Sequence, residues 1–494
     1  MGGIGLSGAI PFVSSKGLSV LGEAVLFRVF ASVNVACAPA AYERAYYLRS
    51  ILLRGFLSSP AQEMGVWEWI LTMPSRRRKQ LIRVYKKRQA IGEDSTKYDI
   101  IKAFVKVEML PYFKQDDEGS YSVDGLKYVP RLIQAPHDET HLDAGPWLKP
   151  LTQRLKDEWH CNNWLFYASV SPEKLDTWLR RNAHARSWFW SDYSAFDASY
   201  STWTWGLIER FYAILYPDAP PSFWKAISAW RQPHGKVRLP KEDAVLEYHA
   251  PVINASGRDD TALANALMNG ITLALAFSAA LSGKLVQDLT EDDVLRASQR
   301  VNIAVVGDDS LVACDFDVGT LTREINAAIE QFGFSAKVNH SDELCDVTFL
   351  GMMPYPVAGQ YYWGPTVGRR GYKAFWQCDP TGNLPAWTMG VAKQLALYQC
   401  VPILSDMANR VVELLNGGKC TTIAPDENRV WASRSSATPR YDRTTEDWLC
   451  RRYIKAGLTP LQIAADRKTL QSISRLPAIT RLHTMDAGLS WDEL

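Results

Sequence analysis

Between Val301 and Phe316 the chain reads VNIAVVGDDSLVACDF, two apolar runs parted by Gly307, Asp308 and Asp309. Apolar runs this short, bounded by a turn signal, form paired strands, and a glycine at the break permits a turn that residues with a Cβ resist. The segment therefore predicts a hairpin with two carboxylates at its tip. Taken alone a Gly-Asp-Asp triplet carries little, because exposed turns use the same residues. What it can mean depends on whether another strand brings a further acid to the same point.

Such a strand is available upstream. Ser187 to Asp192, SWFWSD, is a short aromatic run compatible with a buried strand, and Asp192 stands at its end. The following YSAFDASYSTWTWGLIERFYAILYP has the length and spacing of a helix ended by Pro217. Nucleotidyl transfer through two divalent cations needs carboxylates from separate strands meeting at one point, with the protein left mainly the work of positioning. Asp192, Asp308 and Asp309 meet that need, and Mg²⁺, with Mn²⁺ as a substitute, is the expected metal.

A third segment, SGRDDTALAN at 256–265, predicts a flexible loop at Ser256 and Gly257, then a helix with Thr261 and Asn265 on one face, both able to point into a cleft. Thr261 to Leu281 is the most apolar stretch, but Asn265, Asn269, Gly270 and several alanines suit a buried helix better than a bilayer span, and no transmembrane helix is expected.

In their order along the chain, DYSAFD, SGRDDTALAN and GDD resemble motifs A, B and C of the viral RNA-dependent RNA polymerases of positive-strand RNA viruses. The resemblance spans about residues 106–351. It implies that Asp197, Ser256 and Asn265 hydrogen-bond around the ribose 2′-hydroxyl of an incoming nucleotide, with Gly257 and Thr261 in the same nucleotide-binding segment. Read singly, Asp197 is as well a helix N-cap and Asn265 a satisfied core amide. Lys106 to Gln134 predicts extended strands either side of a polar loop, and FVKVEMLPYF…YVPRLIQ resembles motif F, implying that Lys106 and Arg131 hold the triphosphate, with Glu108 steadying a cation. The alternative for both cations is an ordinary surface position.

The segment EINAAIEQFGFSAKVNHSDELCDVTFLGMMPY predicts a helix, a loop and a strand pair and resembles motifs D and E. Lys337 falls where the family has a general acid for pyrophosphate, and Phe349, Leu350 and Gly351 resemble the turn that grips the primer. A solvated loop lysine and core packing are the plain alternatives.

The family's architecture implies an α+β right hand with an RRM-like antiparallel palm sheet packed on helices. Its parts would be an N-terminal region and fingers (1–185), palm (186–210), a fingers insertion (211–250), palm (251–375) and a thumb with the C-terminal region (376–494). The expected activity is template-directed RNA synthesis from ribonucleoside triphosphates, replicating a viral RNA genome. Template and product RNA would be partners, as would other viral replication proteins. The implied place is the host cytoplasm, at membrane-associated replication complexes. The K-x-E…P-R-L-I-Q segment looks more like the tombusvirus and flavivirus side than the picornavirus side, whereas RDD between Gly257 and Thr261 fits no tombusvirus pattern. A reverse transcriptase-like polymerase and a catalytically silent RNA-binding scaffold are the competing readings. GDD with Asp197 and Asn265 speaks against the first, and the intact carboxylates against the second.

Other features constrain less. The 494 residues accommodate two or three domains or one large enzyme, and a net charge of +2 does not by itself identify a nucleic-acid binder. Charge is concentrated instead in SRRRKQLIRVYKKRQ at 75–89, which holds eight cations and no acid and reads either as a solvated helix face or as a contact for RNA phosphates. The eight cysteines form no CxxC pair and read as reduced thiols, and the N-terminus lacks the basic n-region of a secretory signal. His137 and His141 have a metal-like spacing but no third ligand, so a helix start with Asp138 and Glu139 near its positive end is preferred. Trp188, Trp190, Trp203 and Trp205 are read as core rather than as base-stacking residues.

Overall fold

The computed structural model describes residues 4–5, 12–13, 17–30, 35–91, 98, 100–106, 109–110, 131–161, 164–168, 171–239, 243–376, 383–416 and 433–492. Glu108 and most of the loop between Lys106 and Arg131 lie outside them. The protein is α+β. Its central sheet has five strands in the spatial order Ala336–Ser341, Ser187–Tyr193, Asp309–Cys314, Val301–Val306 and Leu165–Tyr167. The first four are antiparallel and, counted along the chain, lie in the order 4-1-3-2. Thr261–Ser282 intervenes between the first and second, and Thr322–Glu330 between the third and fourth, the split βαβ pattern of RRM-like sheets. The sheet departs from the expected all-antiparallel form at one edge, where Leu165–Tyr167 adds in parallel to Val301–Val306.

The two-residue period of the strands divides their side chains between two cores. Phe189, Tyr193, Ile303, Val305, Val312 and Cys314 pack with Thr261–Ser282 and its neighbours, while Trp188, Ala304, Leu311 and Ala313 pack with the C-terminal third of the chain. The 261–282 helix is long and apolar enough to cross a membrane, but 94% of its most apolar window is buried inside the protein. It is the central helix of the larger core, and its asparagines fall where that core meets the site.

Several boundaries differ from the sequence reading. The helix after Asp192 begins only at Thr202, because Ser201 and Thr204 form a capping box there; Phe196–Ser199 is a separate 3₁₀ turn entered through Ala195 at φ 51°. The hairpin expected over 106–134 is built from Ile100–Val105 and Leu132–Pro136, so Lys106 and Arg131 lie just past its strands, joined by Lys106 N–H donating to the Arg131 carbonyl at 2.7 Å. The segment around Lys337, expected as a loop, is the edge strand Ala336–Ser341, held by pairing with Ser187–Tyr193.

Leu132–Pro136 and Ile100–Val105 continue into a second sheet with His234–Leu239 and Ala244–His249, so residues from the 211–250 segment pair with strands far earlier in the chain. The C-terminal helices Leu384–Leu395, Leu404–Asn416, Arg443–Arg452, Pro460–Ser472 and His483–Asp492 pack together behind the central sheet. They are tied to the middle of the chain by Asp176, which accepts from Arg434 Nη2 at 2.6 Å and from the Trp363 N–H at 2.6 Å. Among the described residues, Cys37, Cys314, Cys345, Cys400 and Cys450 are free thiols.

Candidate active site

The turn between Val301–Val306 and Asp309–Cys314 brings the predicted acids to one end of the central sheet. Gly307 sits at φ 59°, the left-handed region a glycine enters without a Cβ penalty. Ser310 pairs with Ser191, and the two buried hydroxyls lie 2.7 Å apart, so the register sets Asp309 beside Asp192. Asp192 also has Lys337 as its cross-strand partner on the other side. In an antiparallel pair directly opposed residues share a face, and Asp192 and Lys337 are both exposed on it. The structure thus brings together Asp192, Asp308, Asp309 and Lys337.

Asp308 keeps an exposed surface yet is surrounded by protein on most sides. Burial raises its carboxyl above the ordinary range and the charge of Asp192 adds to this, while its own backbone N–H and Arg131 oppose. Oxygen donors crowded so that one repels the next, with no thiolate or imidazole among them, suit a hard divalent cation. By that test the three carboxylates fit a hard divalent cation.

Five residues beyond Asp192, Asp197 is fixed by aromatic anchors on both sides: Phe196 stacks on Phe334 at 4.5 Å, and Tyr200 packs edge-on against Phe196. Its Oδ1 accepts from Asn265 Nδ2 at 2.8 Å. Asn265 Oδ1 in turn accepts from Asn254 Nδ2 at 2.7 Å and from the Tyr200 hydroxyl at 2.8 Å. Burial lifts the Asp197 carboxyl to about 7, with the charge of Asp308 adding to the rise and the Asn265 bond, Arg131 and Arg258 opposing it. Asp197 is therefore no helix N-cap. Asn265 is both a satisfied core amide and the partner of Asp197.

Ser256 does not join that pair. Its hydroxyl donates to the Leu132 carbonyl at 2.7 Å, and its own carbonyl accepts from Gln134 N–H at 3.0 Å, sewing the 256–260 loop to the Leu132–Pro136 strand. Gly257, at φ 143°, passes so close to that strand that a Cβ would lie 2.8 Å from the Gln134 carbonyl oxygen. The Thr261 hydroxyl turns back on its own loop, donating to the Ala255 carbonyl at 3.0 Å, instead of pointing into the cleft. The RDD residues that fit no tombusvirus pattern are structural. Arg258 and Asp260 form a buried pair at 2.9 and 3.0 Å, with the guanidinium over Trp205 and Trp230 and the Tyr212 hydroxyl donating to Asp260. Asp259 meets His141 Nδ1 at 2.8 Å, which accounts for that histidine without a metal. A helix does start at Asp138.

Arg131 acts electrostatically on both Asp197 and Asp308, and the Lys106 N–H ties that residue to the Arg131 carbonyl. Leu350 and Gly351 form a tight turn at φ 58° and 67° closed by reciprocal bonds between Phe349 and Met352, and the Phe349 ring is buried in the second core. Trp188 and Trp205 are core; Trp190 is partly buried against the second core, and Trp203 is exposed.

The sequence reading missed how the turn is held. Asn269, fully buried, places Nδ2 at 3.1, 2.9 and 3.3 Å from the carbonyls of Gly307, Asp308 and Asp309, and its Oδ1 accepts from the Tyr193 hydroxyl at 3.1 Å. One amide thus braces the acidic turn against the strand that carries Asp192. The available signal was an asparagine one helical turn beyond Asn265, inside the most apolar helix of the chain.

Residues 167–361 match a family model described as viral RNA-dependent RNA polymerase. A search of curated proteins found no match.

Proposed function

We propose that this chain, whose residues 167–361 match the model of the viral RNA-dependent RNA polymerase family, is an RNA-directed nucleotidyltransferase that replicates a viral RNA genome by two-metal nucleotidyl transfer. The observation that carries this reading is the convergence of Asp192, Asp308 and Asp309 at one end of a sheet, beside the Asp197–Asn265 pair. Asp192, Asp308 and Asp309 would hold two divalent cations, Mg²⁺ or Mn²⁺, which when bound supply activation of the primer 3′-hydroxyl and neutralisation of the triphosphate. Asp197, when ionised, offers a carboxylate oxygen to a ribose hydroxyl, and Asn265 fixes that oxygen's direction. Arg131 and Lys106 would orient the phosphates. Lys337, opposite Asp192, would deliver a proton to the departing pyrophosphate.

The central sheet with its two helices corresponds to a palm (186–210 and 251–375), with Leu165–Tyr167 added from before its first boundary. The second sheet corresponds to fingers (within 1–185 and 211–250), and the helices after 376 to a thumb. Synthesis would take place in the host cytoplasm with other viral replication proteins, at membranes reached through a partner.

The test is incorporation of labelled ribonucleotides on a heteropolymeric RNA template with Mg²⁺, with and without primer, beside Asp308→Ala. Template-dependent product that disappears in the variant is expected. Deoxynucleotide preference would favour a reverse transcriptase-like enzyme, and RNA binding without synthesis across metals and primers would favour a silent scaffold.

A further inference from the structure

The basic run at 75–89 forms one helix, Ser75–Ile91, and the helix sorts its cations by face. At about 100° per residue, positions 77, 81, 84, 85 and 88 fall on one side and 76, 79, 83, 86 and 87 on the other. The first side is docked. Leu81 is fully buried with Val84 and Tyr85 against it, Arg77 pairs with Asp138, and Arg88 pairs with Asp143 at 2.7 Å. On the second side Arg76, Lys79, Arg83, Lys86 and Lys87 are all exposed. None of these five side chains makes a hydrogen bond or ion pair with any described residue, and the chain has no acid between Glu68 and Glu93.

A single-sign stripe about 16 Å long, in a protein whose net charge is only +2, is maintained against its own repulsion. Solubility does not require it. An anionic membrane is the poorer match, because a helix that lies in a bilayer inserts an apolar face opposite its cations, and here that face is docked on protein. A phosphate backbone needs only the exposed stripe. The docked side is anchored to the first turns of Asp138–Cys161, whose His141 is paired with Asp259 in the 256–260 loop, so a chain of contacts links the helix to the loop beside the candidate site.

We propose that this face of Ser75–Ile91 is an RNA-binding track outside the catalytic cleft, holding single-stranded RNA by its phosphates without reading sequence. The proposal rests on the polymerase reading for the identity of the polyanion, but its test is separate. Affinity for a fluorescent, unstructured single-stranded RNA is measured by anisotropy across a salt series, for the full chain and for a variant with alanine at all five positions. Each lost phosphate contact lowers the magnitude of the log–log salt slope by about 0.7, so the variant's slope is expected to be about 3–4 smaller. Between 50 and 200 mM salt its affinity should then fall roughly a hundredfold less than the wild type's.

Arg76→Lys with Arg83→Lys should keep the wild-type slope, since a point charge suffices. The melting temperature should be unchanged in the five-alanine variant and lowered in Arg77→Ala with Arg88→Ala, which separates the two faces. An unchanged salt slope in the five-alanine variant overturns the proposal. If that variant instead loses sedimentation with phosphatidylserine-containing vesicles, the face is a membrane contact. Single-nucleotide addition on a preannealed primer–template at saturating RNA should persist in the variant. Absence of addition in the wild type, with a stripe-dependent slope, would sink the catalytic reading and leave the track standing.

Discussion

The two loops that border the site are held in opposite ways. The 307–309 turn is braced by one buried side chain, Asn269, acting on three successive carbonyls. The 256–260 loop is distributed over many partners: the Leu132–Pro136 strand, the Arg258–Asp260 pair between tryptophans, and His141. A turn that carries crowded carboxylates gains from being fixed at one point in a low-dielectric interior, because backbone direction then determines where charge is presented. A loop that lies between two sheets has to be specified from several sides.

If that contrast holds, the largest effect should come from the most buried part of the distributed loop. Arg258→Ala leaves Asp260 buried without its cation, and a loss of about 3–5 kcal/mol is expected in denaturant unfolding. Replacing both partners, as Arg258→Met with Asp260→Leu, should recover most of it. A single variant no worse than the double would mean that the pair is not what fixes the loop.

Second in size is the single brace. Asn269→Ala should lower kcat about a hundredfold, the effect of misplacing a reacting group by an ångström, with a smaller change in nucleotide KM. A change confined to KM would move Asn269 out of the catalytic turn's support.

A smaller effect should follow pH. The folded Asp197 carboxyl keeps its proton up to about 7, whereas an unfolded chain loses it near 4. This group's contribution to stability is thus present in full below about 4 and is lost as pH rises through about 7. For activity the sense is reversed, because the ionised form is the better acceptor for a ribose hydroxyl. Nucleotide KM at fixed metal should rise about fivefold between pH 7 and pH 6 and stay flat in Asp197→Asn. The smallest change is expected for Asp259→Asn at the loop's partly exposed rim, less than about 1 kcal/mol in the same unfolding measurement.

Much of this was legible in the sequence, for reasons that differ by element. The hairpin around Gly307 and the strand ending at Asp192 were readable because strand period and turn chemistry are local. That Asp197 and Asn265 belong to one site was implied by the resemblance to the polymerase motifs, which grouped them with Ser256; their direct bond was not. The supporting contacts were not readable, since Ser256 to Leu132, Asn269 to the turn and Asp259 to His141 each join residues brought together only by the tertiary fold. Lys337 falls in a segment expected as a loop, and it is the pairing with Ser187–Tyr193 that makes it an edge strand. The basic run could not be divided by composition. Only docking against Asp138 and Asp143 distinguishes its structural cations from its free ones.

The seam between Ser256 and the Leu132–Pro136 strand has a consequence of another kind. It joins the loop next to the Asp197–Asn265 pair to the segment that begins at Arg131, so events on its two sides share one pair of hydrogen bonds, one from the Ser256 hydroxyl and one between backbones. Thermodynamic reciprocity then applies. Whatever factor an anion near Arg131 adds to the ordering of the loop must return, equal in size, as the factor by which an occupied loop tightens the hold on that anion. Discrimination among sugars and grip on phosphates would be two readings of a single coupling constant.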